Sequence, residues 1–298
     1  MSYRAKKHHI VPEVLQKQFL AMEEKIWFSE QKSDGAFSPP QLESIKKAFM
    51  KKNYNTITKD GEKSDVVERE FYGKIDNFLG KVIPDIFTAF EGNKVPMFSE
   101  QLLDSLRNVV MEMAKRTPDF TGMYDDTTEG KRLLDEIVAE AGADGDKMSE
   151  DHFKSRLGDA QWQKEFARDV RVRATIKHSP KVQSALNQLT FKWVLLSSKC
   201  SFILSSQMVY RLGNGGPNGL NNPNFEMWMP ISPKIALVLL RDNYGKLPLV
   251  HYDTPDHVRE INEYALKSSF QIGSHSRELL ESLTGRKAVE PKSVKVVA

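Results

Sequence analysis

A chain of 298 residues with 40% hydrophobic and 28% charged side chains has a globular mixture and is long enough to bury a core without covalent staples. Its single cysteine, Cys200, excludes an internal disulfide and any cysteine-based zinc finger, and no window approaches the roughly 18 apolar residues that span a bilayer. The net charge of +3 is too small to imply nucleic acid by itself, so local clustering of charge matters more than the total.

The basic start, Met1 to Lys7, runs into His8-His9 and not into an apolar signal core, so a cytoplasmic protein with no membrane partner is expected. His8 to Val11 reads as a short extended piece. A helix then opens at Pro12, where the missing N–H costs nothing, and continues through Val14, Leu15, Gln18 and Phe19. Lys25 to Phe28 reads as a strand, followed by a loop from Lys32 to Pro40. From Val66 to Phe90 the apolar residues keep a helical period, with Pro84 expected to kink or divide the helix. Ser99 is a credible N-cap for the next helix, whose stripe is Leu102, Leu103, Leu106, Val109, Val110 and Met113 and whose end lies near Arg116-Thr117-Pro118. Two or three further helices are expected, one through Leu133 to Val138 and the rest between Ser149 and about Leu189.

The last third changes character. Phe191 to Leu196, Cys200 to Ser205, Glu226 to Met229 and Ile235 to Leu240 are short, apolar and bounded by turn residues, which predicts strands. The Gly/Asn-rich stretch 213–222 reads as a loop, and Pro255 to Lys267 as an amphipathic helix. This order predicts an α+β fold, with a helical N-terminal and central part packed on a small, mostly antiparallel C-terminal sheet. The expected organisation is one compact domain over 1–285, helical across 60–190 and strand-rich across 191–285, followed by a flexible basic tail, 286–298.

The opening Lys7-His8-His9-Ile10-Val11-Pro12, with Leu15 and Phe19-Leu20, resembles the start of domain-of-unknown-function family four-two-three-eight, whose members occur in bacteria and some viruses. Glu70-Phe71-Tyr72 resembles its acid-aromatic stretch, and Arg116-Thr117-Pro118 its Arg-x-Pro. Phe202 to Ser206 and Met229 to Pro233 resemble its two C-terminal strand motifs. The family commonly carries an aspartate after the serine of the first of these motifs, where this chain has Gln207, so any metal or base role of that aspartate is absent or replaced here. With no activity established for the family, the resemblance implies a shared fold and no mechanism.

His8 and His9 are the leading candidates for chemistry. Neighbours on a strand point to opposite faces, so one imidazole would serve a metal or substrate while the other is held by a hydrogen bond. The string also resembles the first half of a His-Asn-His nuclease motif; Asn53 and Asn55 follow, but no histidine does until His152. The structural alternative is a packed, hydrogen-bonded histidine beside a solvated one. Arg116 could grip a phosphate through its forked guanidinium, or simply meet the negative end of its helix. Arg168, Arg171 and Lys177 could form a phosphate track on a helix face, or an ordinary solvated face. Glu70, Ser206 and Gln207 are secondary candidates, and Glu68, Glu70 and Asp76 are the carboxylates that folding could bring beside the histidines.

Two functions are therefore weighed. One is a metal-assisted, nuclease-like phosphodiester hydrolase of bacterial or phage defence, built on His8, His9 and Arg116 with a divalent metal. The other is a non-catalytic module that binds nucleic acid or protein, as the replacement at Gln207 and the missing third ligand suggest. A carboxylate beside His8 or His9 would separate them.

Overall fold

The computed structural model describes residues 7–59, 62–118, 127–177, 179–197, 199–212, 219–242 and 245–289. The chain begins with β1 (Lys7–His9), α1 (Glu13–Gln16), β2 (Lys25–Glu30), β3 (Gln41–Ser44), β4 (Met50–Lys52), β5 (Ile57–Lys59) and β6 (Glu62–Ser64). A π-helical turn, Val67–Tyr72, leads into α2 (Gly73–Glu91), and α3 (Glu100–Lys115) follows. The helices α4 (Thr127–Ala143), α5 (Lys147–Lys154), α6 (Ala160–Thr175) and α7 (Pro180–Asn187) come next. The last third holds β7 (Thr190–Leu195), β8 (Leu204–Ser205), β9 (Tyr210–Leu212), β10 (Glu226–Pro230), β11 (Ile235–Leu240) and β12 (Val250–Tyr252). It closes with α8 (Pro255–Ser268), β13 (Gln271–Ser274) and α9 (Arg277–Thr284).

The fold is α+β, and its sheets are mostly antiparallel. The chain divides into two compact units, each assembled from segments far apart in sequence, where the sequence suggested one domain with a helical and a strand-rich half. The first unit comprises Met1–His8, Lys51–Ile75 and Phe120–His178; the second comprises His9–Met50, Asp76–Asp119 and Ser179–Ala298.

In the first unit, a β5–β6 hairpin lies against α6. The Thr58 N–H donates to Asp169 Oδ2 at 2.7 Å, and Arg173 Nη2 donates to the Thr58 carbonyl at 2.9 Å, so α6 completes the polar groups of the hairpin's free edge. Beneath these contacts Ile57, Val67, Tyr72 and Val172 form a buried cluster joined by Val66, Phe71, Ile75 and Ile176.

The second unit contains two sheets, of order β12-β7-β11-β10-β9 and β3-β2-β13-β8. Central β11 reads Ile-Ala-Leu-Val-Leu-Leu and is buried throughout, as expected of a strand covered on both faces. Leu237 pairs with Trp193 on β7, and the rings of Phe90 on α2 and Phe98 pack on Trp193 at 5.7 and 6.4 Å. In the other sheet, Gly273 of β13 lies so close to Ile26 and Phe49 that a Cβ would meet Ile26 Cδ1 at 2.7 Å.

Several elements depart from the sequence reading. The helix opened by Pro12 has only four residues, with Pro12 as its N-cap, and a 3-10 turn, Lys17–Phe19, follows. The helical run from Val66 starts as the π turn, and α2 then continues through Pro84 without dividing. Strands β3 to β6 went unpredicted, as did β9, β12, β13 and α9, and β2 and β3 bring N-terminal residues into a sheet expected to be C-terminal. The run from Cys200 is a strand only at Leu204–Ser205, because α8 intervenes: Asn262 accepts the Ile203 N–H at 3.1 Å and donates to the Ser201 carbonyl at 2.9 Å. Residues 213–218 of the expected loop lie outside the described residues. The start of the expected tail is fastened down: Ala288 N–H donates to Glu281 Oε1 at 2.7 Å and Val289 N–H to the Pro40 carbonyl at 2.9 Å. Residues 290–298, with Lys292 and Lys295, lie outside the described residues.

Candidate nucleic-acid interface

The leading sequence candidates are engaged by the protein itself. His8 is 2% exposed, and its Nδ1 accepts the Asn55 N–H at 2.9 Å, which puts a neutral ring's proton on Nε2. The Asn55 side chain then donates to Glu68 Oε2 at 2.6 Å, so a carboxylate does stand near His8, with an asparagine between them. His9 Nε2 lies 3.2 Å from the Ile45 carbonyl and 3.5 Å from Glu13 Oε1.

Arg116 caps the C-terminus of α3, and its side chain is wholly buried. Nη1 donates to Asp76 Oδ1 at 2.6 Å and Nη2 to the His9 carbonyl at 3.0 Å. Folding thus joins Arg116 to the main chain of His9, and the guanidinium ties α2 and α3 to the segment leaving β1. Ser206, fully buried, accepts the N–H groups of Phe270 and Gln271 at 3.2 Å each, and so anchors the entry to β13. Gln207 donates its N–H to Ser269 Oγ at 3.3 Å, and Glu70 pairs at the surface with Arg69 at 3.3 Å. Among the described residues no three His, Cys, Asp or Glu side chains form a group that could hold a metal ion.

The three cations expected to form one track separate. Arg171 is buried, donates to the Tyr54 carbonyl and lies 4.0 Å over the Tyr54 ring. Lys177 lies beyond the end of α6, which is capped at Ile176. Of the three, Arg168 lines a cleft rich in basic residues among the described residues of the first unit. This cleft holds about 340 Å³ and is lined by Lys51, Lys52, Asn53, Tyr54, Gln161, Lys164, Glu165 and Arg168.

Local sequence explains how these residues meet. Gln161, Lys164, Glu165 and Arg168 recur at spacings of three and four, which makes one face of α6. Asp159 starts that helix by accepting the Trp162 N–H at 2.9 Å. Opposite, Asn53 takes a left-handed backbone (φ 53°), which asparagine tolerates, and turns the chain directly after Lys51 and Lys52. Lys51 also sits 5.1 Å over the Tyr54 ring that Arg171 holds from within the unit.

Four cations therefore line the cleft with one carboxylate, Glu165, which is already paired with Lys63. Burial works against the Glu165 charge, but hydrogen bonds from Lys63 and Gln161, with the charges of Lys63 and Arg168, hold it below the usual carboxylate range. At neutral pH it stays ionised and committed, leaving Lys52 and Lys164 exposed at the rim. Sequence reasoning missed Lys51, Lys52 and Lys164. The doublet Lys51-Lys52 was visible, but nothing in its spacing to Lys164 tells that it shares a cleft with α6.

The family described as a protein of unknown function, DUF4238, matches residues 7–277. No curated protein and no solved structure matches the chain.

Proposed function

The chain belongs to the DUF4238 family, whose description assigns no chemistry, and from its geometry we propose that it is a nucleic-acid-binding protein that holds a phosphodiester backbone in the basic cleft of its first unit. The observation that supports this reading is the convergence of Lys51, Lys52, Lys164 and Arg168, from two distant segments, on one cleft whose carboxylate is already paired. Lysine ammonium groups at a rim neutralise phosphates and release their counterions, which gives affinity without sequence preference. Asn53 and Gln161 complete the polar lining, with Gln161 held by Glu165. Cleavage by His8, His9 and Arg116 is not part of this reading, because His8 Nδ1, His9 Nε2 and both Nη atoms of Arg116 bond within the protein.

Fluorescence anisotropy with labelled single- and double-stranded DNA and RNA across a salt series tests the proposal. Wild type should bind at low salt and weaken steeply as salt rises, and each of K52E and K164E should lower the slope of log affinity against log salt by about 1. Absence of binding to every nucleic acid at low salt, or equal affinity in the double variant, overturns it.

A further inference from the structure

A second cleft lies wholly within the second unit, between β9, β10 and α8, and holds about 720 Å³. Its polar lining comes from Arg211, Asn224, Glu226, His257, Glu260 and Tyr264. What sets it apart is the way His257 is held.

After β12 the chain reads Asp253-Thr254-Pro255-Asp256-His257. Thr254 is the N-cap of α8, its Oγ1 accepting the His257 N–H at 3.3 Å, and Pro255 supplies the first helical residue without an N–H to satisfy. This start fixes Asp253 and His257 four residues apart on the same side. The Asp253 side chain is 3% exposed, and its two oxygens lie 2.9 and 2.8 Å from His257 Nδ1. Asp253 Oδ1 also accepts the Thr254 N–H at 2.8 Å, so the carboxylate cannot swing away.

A buried carboxylate on Nδ1 fixes the imidazole tautomer, with the proton on Nδ1 and the lone pair on Nε2. The Trp228 ring meets the imidazole edge-on at 5.5 Å and limits its rotation. Nε2 is then the ring nitrogen left for the cleft that His257, 41% exposed, helps to line. The titratable and charged groups around the pair are His251, 3.9 Å from Asp253, with Glu226, Glu260 and Arg211 at the cleft. Glu226 is held by the Trp228 indole N–H at 2.6 Å.

We propose that Asp253 and His257 make this cleft a general acid–base site that hydrolyses a small polar ester. In the step, His257 Nε2 takes a proton from a water whose oxygen attacks the ester carbonyl carbon. The bond from that carbon to the leaving oxygen breaks, and the imidazolium returns the proton to the departing alkoxide. An ester and water become a carboxylic acid and an alcohol, with no other reactant. His257 is the catalytic residue and Asp253 a positioning residue, and with Glu226 and Glu260 lining the cleft beside a single arginine, Arg211, the cleft favours an uncharged ester.

The test uses the full chain with p-nitrophenyl acetate as probe. Wild type should release p-nitrophenol above the buffer rate, and H257A should lose about 100-fold or more of that rate. After the rate of imidazole alone and the rate gained by imidazole with wild type are subtracted, added imidazole should still raise the H257A rate, which a purely structural role would not allow. D253N should lower kcat with little change in KM, and H152A, in the other unit, should match wild type. A wild-type rate equal to buffer overturns the proposal. So does a rate unchanged in H257A, or one lost equally in H152A.

Discussion

Gly130 of α4 faces the main chain of Gln163 in α6 so closely that a Cβ there would stand 2.5 Å from the Gln163 carbonyl oxygen and 3.3 Å from the Ala167 Cβ. The obstacle is backbone, which cannot rotate aside, so the two helices would have to separate. G130A should therefore destabilise the first unit. Overpacking costs about 1–3 kcal/mol, and the gain in helix propensity on replacing glycine by alanine, about 1 kcal/mol, offsets only part of it. A lower urea midpoint in G130A is the expected result; G80A, where a Cβ meets nothing within 4 Å, should be neutral or slightly stabilising and serves as the control.

Arg116 should behave as a structural residue. Removing Arg116 leaves the half-buried Asp76 carboxylate and the His9 carbonyl without their donor, and R116A should cost about 2 kcal/mol. R116K keeps the charge but loses the fork that reaches Asp76 and the His9 carbonyl together, and should fall between the two. Denaturant unfolding measures the loss. Nucleic-acid affinity per folded molecule should stay unchanged, and a large drop in affinity with normal stability would return Arg116 to a binding role.

The elements read correctly from sequence are those with a strong local cause. Ser99 accepts the Leu102 N–H and starts α3 where the hydroxyl and the apolar stripe require, and β11 matches its apolar run residue for residue. The strands from Gln41 to Ser64 were missed because they are three or four residues long and polar; their order comes from partners such as Asp169, more than a hundred residues away. The candidate sites follow the same pattern. His8 stood out through the opening motif and Arg116 through its place at a helix end before Pro118, and neither signal separates a site residue from a buried, bonded one. The Asp253–His257 spacing was readable across the N-cap, but only the fold shows that Asp253 is buried and that the cleft lies beyond the ring.

Glu281 ties α9 to the segment after it, and this contact should give the protein a specific acid sensitivity. The Ala288 N–H, then the Arg277 guanidinium and Lys287 ammonium, stabilise its charged form, and its pKa falls from 4.5 to about 2. A carboxyl with a folded pKa below its unfolded one contributes stability that is fully present above about pH 4.5 and is lost as pH falls toward about 2. E281Q should therefore melt below wild type at neutral pH, and the gap should close as pH drops through that window. A chain ending at Arg286, which removes Lys287, Ala288 and the Val289 N–H bond to Pro40, should melt lower than one ending at Val289. It should also show a weaker acid dependence, because Glu281 then keeps only Arg277. Melting curves of wild type, E281Q and both truncations from about pH 2 to neutrality decide the matter; a gap that stays constant across the window would show that Glu281 does not titrate in this way.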